Sequence, residues 1–442
     1  MDHLTRSETL QVLASMGVDI PKTTSLQDDV LEKRLRAALD AAQEKYLFSD
    51  RFPLNTQDLR EWPLLKADEL RSNARPLLEA VRRGNLQEIR DRSAANLLGG
   101  SGPEEAYGYP FINLRRTTMS LADVLDRGLT WCTIQDPVHK ENAINIRFLQ
   151  VYELDDTTPA IVLLYRAFSR DNFGREGARW CQHQMKSNPK NVPGAGVAID
   201  ATVLEQKLLL KLLGLNRKLL PPDYAPKKQR YEEQFRASVL LPLGPLGFEA
   251  INKLGGSTGC AICEERGRFR CKQCQSVWYC SADCQRADWP THKQLCLSLK
   301  GGRWCKVTFR ATPPGMEKMH ISTINQYTDL TRMKGDSGSM TVGDPNKPFP
   351  NTHGDKPFLV KLQVGLGGPG LTGIMVYDRQ RSFNQVYVTH WDNPVAFEEL
   401  VEEMEGPRGG FGGLKMYRWA KRTGDWELSI CVDRQPQTDV RW

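Results

Sequence analysis

The chain has 442 residues, 40% of them hydrophobic and 26% charged, with a formal net charge of +7 and eleven cysteines. That length suggests about three folding units with enough chain to bury real cores. The composition excludes both the charge-rich, aromatic-poor bias of disorder and the cysteine density of a small secreted scaffold. The opening MDHLTRSETLQVLASMG has no basic start followed by an apolar core, so no secretory signal is expected. The longest apolar stretch, Leu208 to Leu220, is broken by Lys211, Arg217 and Lys218 and is too short to span a bilayer. The expectation is a cytoplasmic or nuclear protein, where clustered cysteines point to metal rather than to disulfides.

Residues 1–100 read as a helical region. Between Val30 and Tyr46, Leu31, Leu35, Ala38, Leu39 and Ala42 recur at helical spacing, and SLQD (Ser25 to Asp28) offers a capping-type start. RPLLEAVRRGNLQEIRD predicts two short amphipathic helices around Gly84. It is similar to the opening of an ankyrin repeat, but no second copy follows at a fixed period, and one repeat cannot bury its own apolar face, so a plain helical hairpin is the better reading. Residues 101–250 mix strands, INIRFLQVYEL and PAIVLLYRAF, with a helix from Thr202 to Leu213 and a Pro-rich break at LPPDYAPKKQ. Residues 255–300 hold a cysteine cluster. Residues 301–442 alternate FLVKLQVGL, GIMVYDR and NQVYVTHW with a helix around Pro394 to Met404, then a hairpin whose turn is TGD in LKMYRWAKRTGDWELSICV. The fold class is therefore α+β and multidomain, with a small two-metal module between a mixed α/β region and a C-terminal α+β domain.

The cluster runs C-x2-C (Cys260, Cys263), x7, C-x2-C (Cys271, Cys274), x5, C-x3-C (Cys280, Cys284), x7, H-x3-C (His292, Cys296). Eight soft or borderline ligands in four close pairs match the demand of two tetrahedral zinc sites, since each pair supplies two corners from one local turn. Ser281 is a candidate helix N-cap, so Cys280 and Cys284 flank a first helical turn and their sulfurs converge. His292 and Cys296 are four apart on one helical face, and Pro290 sits where a new helix can begin. Eight ligands close both sites, so the zinc is structural: a catalytic zinc needs an open position. Each ion contributes on the order of 10 kcal/mol to folding a segment poor in apolar residues. Spacing alone leaves open whether the pairs combine sequentially or in an interleaved order.

With its two preceding C-x2-C pairs, YCSADCQRADWPTHKQLC resembles a MYND-type zinc finger, at all eight ligand positions and over some 40 residues. The resemblance implies an interleaved arrangement, with Cys260, Cys263, Cys280 and Cys284 on one ion and Cys271, Cys274, His292 and Cys296 on the other. It also implies that Gln285, Trp289 and a strand edge around Ser276 to Tyr279 receive Pro- and Leu-containing peptides of partner proteins. From the residues themselves, Gln285 and Trp289 share a helical face and SVWY offers a short strand edge. The plainer alternative for Trp289 is packing against the finger's own core or a neighbouring domain. Upstream, Pro242, Leu243, Pro245 and Leu246 imitate such a peptide, so the finger's groove could be occupied by its own chain, although an ordinary Pro/Gly linker is the simpler reading. The order of regions along the chain also resembles fungal MYND-finger proteins.

Other signals carry less. MYND fingers also occur in SET-domain lysine methyltransferases, but none of the seven histidines here forms the Asn-His pair of that class. GLGGPG (Gly365 to Gly370) satisfies G-x-G-x-x-G but runs into a strand-like segment rather than opening a helix. KGDSGSM around Ser337 resembles a protease nucleophile loop without an adjacent base. Cys132 and Cys431 read as small buried hydrophobes, and Cys181 and Cys305 lie outside the ligand set. No catalytic residues are assigned.

The leading expectation is a zinc-binding protein-interaction adaptor or regulator that takes a Pro/Leu-rich peptide of a partner protein. A nucleic-acid-binding regulator is the alternative. Seven thiolates and two Zn2+ remove three charges from the formal +7, leaving about +4. Six basic side chains face four acidic ones between Cys260 and Cys296, with no basic helix interleaved with base-reading residues, which disfavours nucleic acid. A third reading is an enzyme in the flanking regions that the finger recruits, because catalytic groups converge in space without leaving a sequence motif.

Overall fold

A computed structural model gives the fold. It describes residues 3–18, 24–64, 74–84, 109–138, 142–169, 173–187, 198–255, 259–274, 277–311, 347–364, 373–378, 386–409 and 411–436, with the single positions 20, 22 and 382. The described residues fall into two compact units, one taking in 3–17 and 35–246, the other 18–34, 247–311 and 347–436. Among the described residues no helix is long and apolar enough to cross a membrane.

In the first unit, α1 (Arg6–Ser15) opens with a capping box in which Thr5 and Glu8 satisfy each other's backbone N–H groups. The second half of α2 (Asp28–Ala42) buries Leu35, Ala38, Leu39 and Ala42, the face that its periodicity predicts. Next come α3 (Leu77–Val81), which is the first of the two helices expected around Gly84, and α4 (Pro110–Asp126). The second expected helix lies outside the described residues. Strands β1 (Trp131–Gln135), β2 (Asn142–Asp155) and β3 (Thr158–Ser169) are followed by α5 (Ala178–Ser187), β4 (Ala198–Asp200), α6 (Val203–Asn216) and β5 (Arg236–Leu240). The sheet runs β4-β1-β2-β3-β5, with β1 and β4 parallel and the other pairs antiparallel. Thr202 and Glu205 cap α6 reciprocally, so the helix starts one residue after the expected Thr202.

The Pro-rich break after Leu220 is pinned by a buried charge. Arg147 of β2 grips the fully buried Glu232 through two bonds of 2.7 and 2.8 Å, and Trp180 Nε1 donates to the same carboxylate at 3.1 Å. The Pro242 to Leu246 segment belongs to this unit as structure rather than as a free tether. Leu243 and Leu246 are buried, the Gly244 N–H donates to Ala42 C=O at 2.8 Å, and Arg115 Nε donates to Leu243 C=O at 3.1 Å.

The second unit contains α7 (Phe248–Gly255), the two-residue strands β6 (Phe269–Arg270) and β7 (Trp278–Tyr279), and α8 (Ala282–Leu299). Beyond them lie β8 (Trp304–Thr308), β9 (Phe358–Val364), β10 (Ile374–Asp378), β11 (Val386–Val388), α9 (Pro394–Glu405), β12 (Lys415–Gly424) and β13 (Glu427–Cys431). Six antiparallel strands form one sheet in the order β11-β10-β9-β12-β13-β8. Phe397, Leu400 and Met404 of α9 share its apolar core with Val360, Leu362, Val376 and Ile430. Arg418, nearly fully buried on β12, donates to Glu403 of α9 at 2.8 Å and to the Val432 and Arg408 carbonyls, tying helix to sheet. The TGD hairpin is present between β12 and β13, and Cys431 is buried in β13 as its alternation predicts. Edge strand β8, which directly follows α8, was not expected from the sequence. The GLGGPG and Ser337 segments lie outside the described residues.

Candidate metal centre

The Cys260–Cys263 pair sits on a tight knuckle. The Cys260 N–H donates to Glu265 C=O at 2.8 Å and the Glu264 N–H to Cys260 C=O at 3.0 Å. A Cβ on Gly259 would lie 2.1 Å from the Glu264 carbonyl oxygen, so a side chain there would force the knuckle open. The Cys271–Cys274 pair leaves β6, with the Cys271 N–H donating to Val277 C=O at 3.0 Å and so closing the β6–β7 hairpin. Ser281 caps α8 by accepting from the Cys284 N–H at 3.2 Å, which sets Cys280 and Cys284 on either side of the first turn. Contrary to expectation, Pro290 does not begin a second helix: α8 runs unbroken through it. The carbonyl that Pro290 leaves without a donor belongs to exposed Arg286, where water can satisfy it, and ligands on both sides of the proline hold the two halves in line.

The ligand atoms gather into two sets, Cys260/Cys263/Cys280/Cys284 and Cys271/Cys274/His292/Cys296, each with all members within 4.8 Å of one another. Spacing left two pairings open, and the geometry selects the interleaved one. In the first set the Cys263–Cys280 and Cys280–Cys284 sulfurs are 3.4 and 3.5 Å apart. In the second, Cys271 and Cys296 sulfurs are 3.7 Å apart and Cys274 Sγ lies 3.5 Å from His292 Nε2. A tetrahedron with Zn–S bonds of about 2.3 Å has edges of about 3.8 Å, so both sets fit Zn2+ and neither leaves an open corner. Helix α8 serves both sites, carrying Cys284 in its first turn and His292 and Cys296 about 12 Å and more along its axis.

Without metal the thiols divide unevenly: burial and the neighbouring sulfurs push Cys263 and Cys296 up to about 12, while the first sulfur of each knuckle is drawn down. Burial raises the Cys260 thiol, but the N–H groups of Cys263, Ile262 and Cys280 outweigh it and bring the group down to about 7. Cys271 is lowered in the same way, burial being overcome by the Cys274 and Gln273 N–H groups. Each C-x2-C knuckle thus aims backbone donors at its first sulfur and favours the thiolate that zinc requires. Burial lowers the His292 pKa, against the pull of Asp288, and keeps the imidazole neutral for ligation.

The MYND finger model matches residues 260–296, the stretch in which all eight ligands lie. These residues are a MYND finger. It is a zinc-binding protein-interaction module holding two structural zinc ions. The chain is 37% identical over 57 residues to N-lysine methyltransferase SMYD2-A of Danio rerio, covering 12% of this chain and 13% of that protein. It is 51% identical over 56 residues to Tudor domain-containing protein 1 of Oryzias latipes, covering 13% and 5%, and 50% identical over 38 residues to the Zinc finger MYND domain-containing protein 10 homolog of Drosophila melanogaster, covering 9% and 8%. The similarity therefore spans a small part of either chain. No solved structure matches this one.

One side of the finger is covered by its own chain. Asp288, buried on α8, accepts from Tyr279 Oη at 2.7 Å and from Ser25 Oγ at 2.8 Å. Ser25 thus does not cap α2: the helix starts at Asp28, and Gln27 holds the cap position, its carbonyl accepting from the Leu31 N–H. The Gln27 N–H donates to Ile262 C=O at 3.1 Å, and Arg34 pairs with Glu264 and donates to Leu254 C=O at 2.9 Å. From the sheet side, Trp304 and Trp419 pack on the finger's core, and Asp355 pairs with Arg270 at 2.5 Å. Burial, reinforced by Arg34 and opposed by Cys260 and Asp288, lowers the Lys356 amine to about 8.

The residues expected to meet a partner are placed unevenly. Trp289 is 38% exposed, its ring edge-on to His292 at 6.0 Å, so part of it packs on the finger and part faces outward. Gln285, one turn earlier, is half-buried. Ser276 lies outside the described residues. Along the β7 edge, the Trp278 carbonyl already accepts the Ala261 N–H at 3.0 Å.

A Ser/His/Asp trio that sequence reading missed lies at the end of β10. His353 Nε2 is 2.8 Å from Asp378 Oδ2 and 3.2 Å from Ser382 Oγ, and the Ser382 N–H donates to Asp378 Oδ1 at 2.6 Å. Both side chains meet the same ring nitrogen. A serine nucleophile needs one nitrogen to take its proton and the carboxylate on the other, so this trio is built to hold a loop rather than to attack a carbonyl.

Proposed function

We propose that this protein is an adaptor or regulator whose MYND finger binds Pro/Leu-containing peptides of partner proteins along Gln285, Trp289 and the 276–279 segment. The observation that carries this reading is Trp289: an indole kept partly exposed on a helix whose every ligand is committed to zinc. An amphipathic ring held rigidly at the surface is the type of anchor on which peptide and protein contacts depend. The zinc ions make the fold and leave recognition to the side chains between the ligands. A reducing compartment, the cytosol or the nucleus, suits seven thiolates that must stay available to metal.

The alternative of a nucleic-acid binder differs in one measurable respect. Phosphate contacts weaken steeply as salt rises, whereas a peptide held by an indole and backbone bonds responds little. The test is a pull-down with wild type and Trp289→Ala, each first shown to hold two zinc ions. Loss of the partners with Trp289→Ala supports the reading, and recovery of the same partners by both variants refutes it.

A further inference from the structure

Helix α8 continues well past Trp289, and its outward side, with exposed Thr291, Lys293 and Gln294, also exposes a second large apolar side chain, Leu297. Asp288, His292, Cys296 and Leu299 are buried. Trp289, Lys293 and Leu297 form an outward row at four-residue spacing, with Trp289 38% and Leu297 51% exposed and Lys293 exposed between them. Among the described residues Lys293 has no ion-pair partner. Exposed Arg286 and Lys300 flank the row at seven residues on either side of Lys293, and Arg286 is paired with Asp283. The row thus reads apolar, basic, apolar, with Lys300 as a second exposed cation beyond its C-terminal end.

Its spacing matches that of an extended chain. Four helical residues advance about 6 Å along the axis, and two residues of a strand advance about 6.6 Å with their side chains on one face. A strand laid along α8 therefore presents alternate side chains to Trp289, Lys293 and Leu297 in turn, with only the modest winding of an i, i+4 row to follow.

We infer that the recognition surface extends from Trp289 to Leu297 and that its ligand is an extended acidic peptide with the pattern apolar-x-acidic-x-apolar: one apolar residue on Trp289, the acid at Lys293, the second apolar residue on Leu297. This deepens the proposed function and rests on its placing of a peptide at Trp289. Burying a half-exposed leucine against a second apolar residue is worth about tenfold in affinity, and an exposed Lys–Asp contact about threefold.

The test uses the full zinc-loaded chain and fluorescence anisotropy with fluorescein-labelled GPLSDSLPG, whose core reads the same in both directions, so the polarity of the bound strand does not matter. The comparison peptide GPLSSSSPG keeps one apolar residue and no acid. Wild type is expected to bind the first peptide more than tenfold tighter than the second. Leu297→Ser should narrow the difference to about the threefold of the Lys293 contact, and Lys293→Glu should weaken the first peptide and prefer its Asp-to-Lys version. Equal binding of both peptides by wild type, with Leu297→Ser and Lys293→Glu silent and Trp289→Ala still abolishing binding, would overturn the extension while leaving the Trp289 groove standing. Absence of binding by either peptide, or binding indifferent to Trp289→Ala, would overturn both.

Discussion

Asp288→Ala is the perturbation that most sharply separates the finger's embedding from its metal chemistry. The carboxylate is buried and accepts two hydroxyl bonds, from Ser25 at 2.8 Å and Tyr279 at 2.7 Å, and it ligates nothing. Hydrogen bonds to a charged group contribute about 1.5–3 kcal/mol each, so losing both costs about 3 kcal/mol or more locally. The Ser25 share of that cost, about 1.5–3 kcal/mol, falls on the segment around Ser25, which is also tied to the knuckle by the Gln27 N–H to Ile262 C=O bond and by Arg34 on Glu264. Hydrogen exchange read by mass spectrometry on a peptide spanning residues 24–34 is the appropriate assay, because it reports local opening without requiring two-state unfolding of the whole chain. Exchange of that peptide should accelerate about tenfold to a hundredfold, while both zinc ions are retained. Ser25→Ala should give a smaller change, and Ser25→Ala combined with Asp288→Ala should add less than the two single effects. Unchanged exchange in Asp288→Ala would mean that the contact does not hold the segment, and zinc loss would mean that Asp288 supports the metal sites rather than the embedding.

Further outcomes follow from the same structure. Cys296→Ser should lose zinc from the Cys271/Cys274/His292/Cys296 site and leave one ion per chain by native mass spectrometry; two ions retained would contradict Cys296 as a zinc ligand. Arg147→Met strands the fully buried Glu232 and should destabilise the first unit by about 3 kcal/mol, measured as a lower urea midpoint; an unchanged midpoint would show that Glu232 finds other compensation. The Arg408 bond, aided by Arg418 and opposed by burial, holds the Glu403 carboxyl below its ordinary value of 4.5. The stability it confers is therefore fully present above that value and lost as pH falls through the depressed folded one. Glu403→Gln should flatten the fall in the thermal midpoint of the second unit on acidification below 4.5, and an identical pH profile would remove the network from the explanation.

The sequence disclosed most where chemistry forces spacing. Eight ligands must come in pairs that one turn can bring together, so Cys260 to Cys296 spelled out two zinc sites, and alternation or helical periodicity exposed β2, β3, α6, α9 and the β12–β13 hairpin. It disclosed little where contact depends on pairing across long stretches of chain. Ser25 and Asp288 are separated by 263 positions, and nothing in SLQD distinguishes a serine that caps its own helix from one that reaches a distant carboxylate. Pro290 misled because a proline that opens a helix and one tolerated inside it look alike until the ligands on either side are seen to clamp the chain. Strand β8 was hidden by its brevity: WCKVT is five residues at a sheet edge, immediately after a metal-bound helix. The interleaved pairing of ligands likewise needed coordinates, since spacing permits sequential sites as well.

A stepwise chelation series most directly tests zinc-dependent capture of a partner through the finger. Zinc content and partner recovery would be measured on the same samples as chelator is raised, with hydrogen exchange of the first unit as a control for general unfolding. Recovery should fall in step with zinc while exchange in the β1–β5 sheet stays constant. Partner recovery that persists after both ions are gone would place recognition elsewhere in the chain.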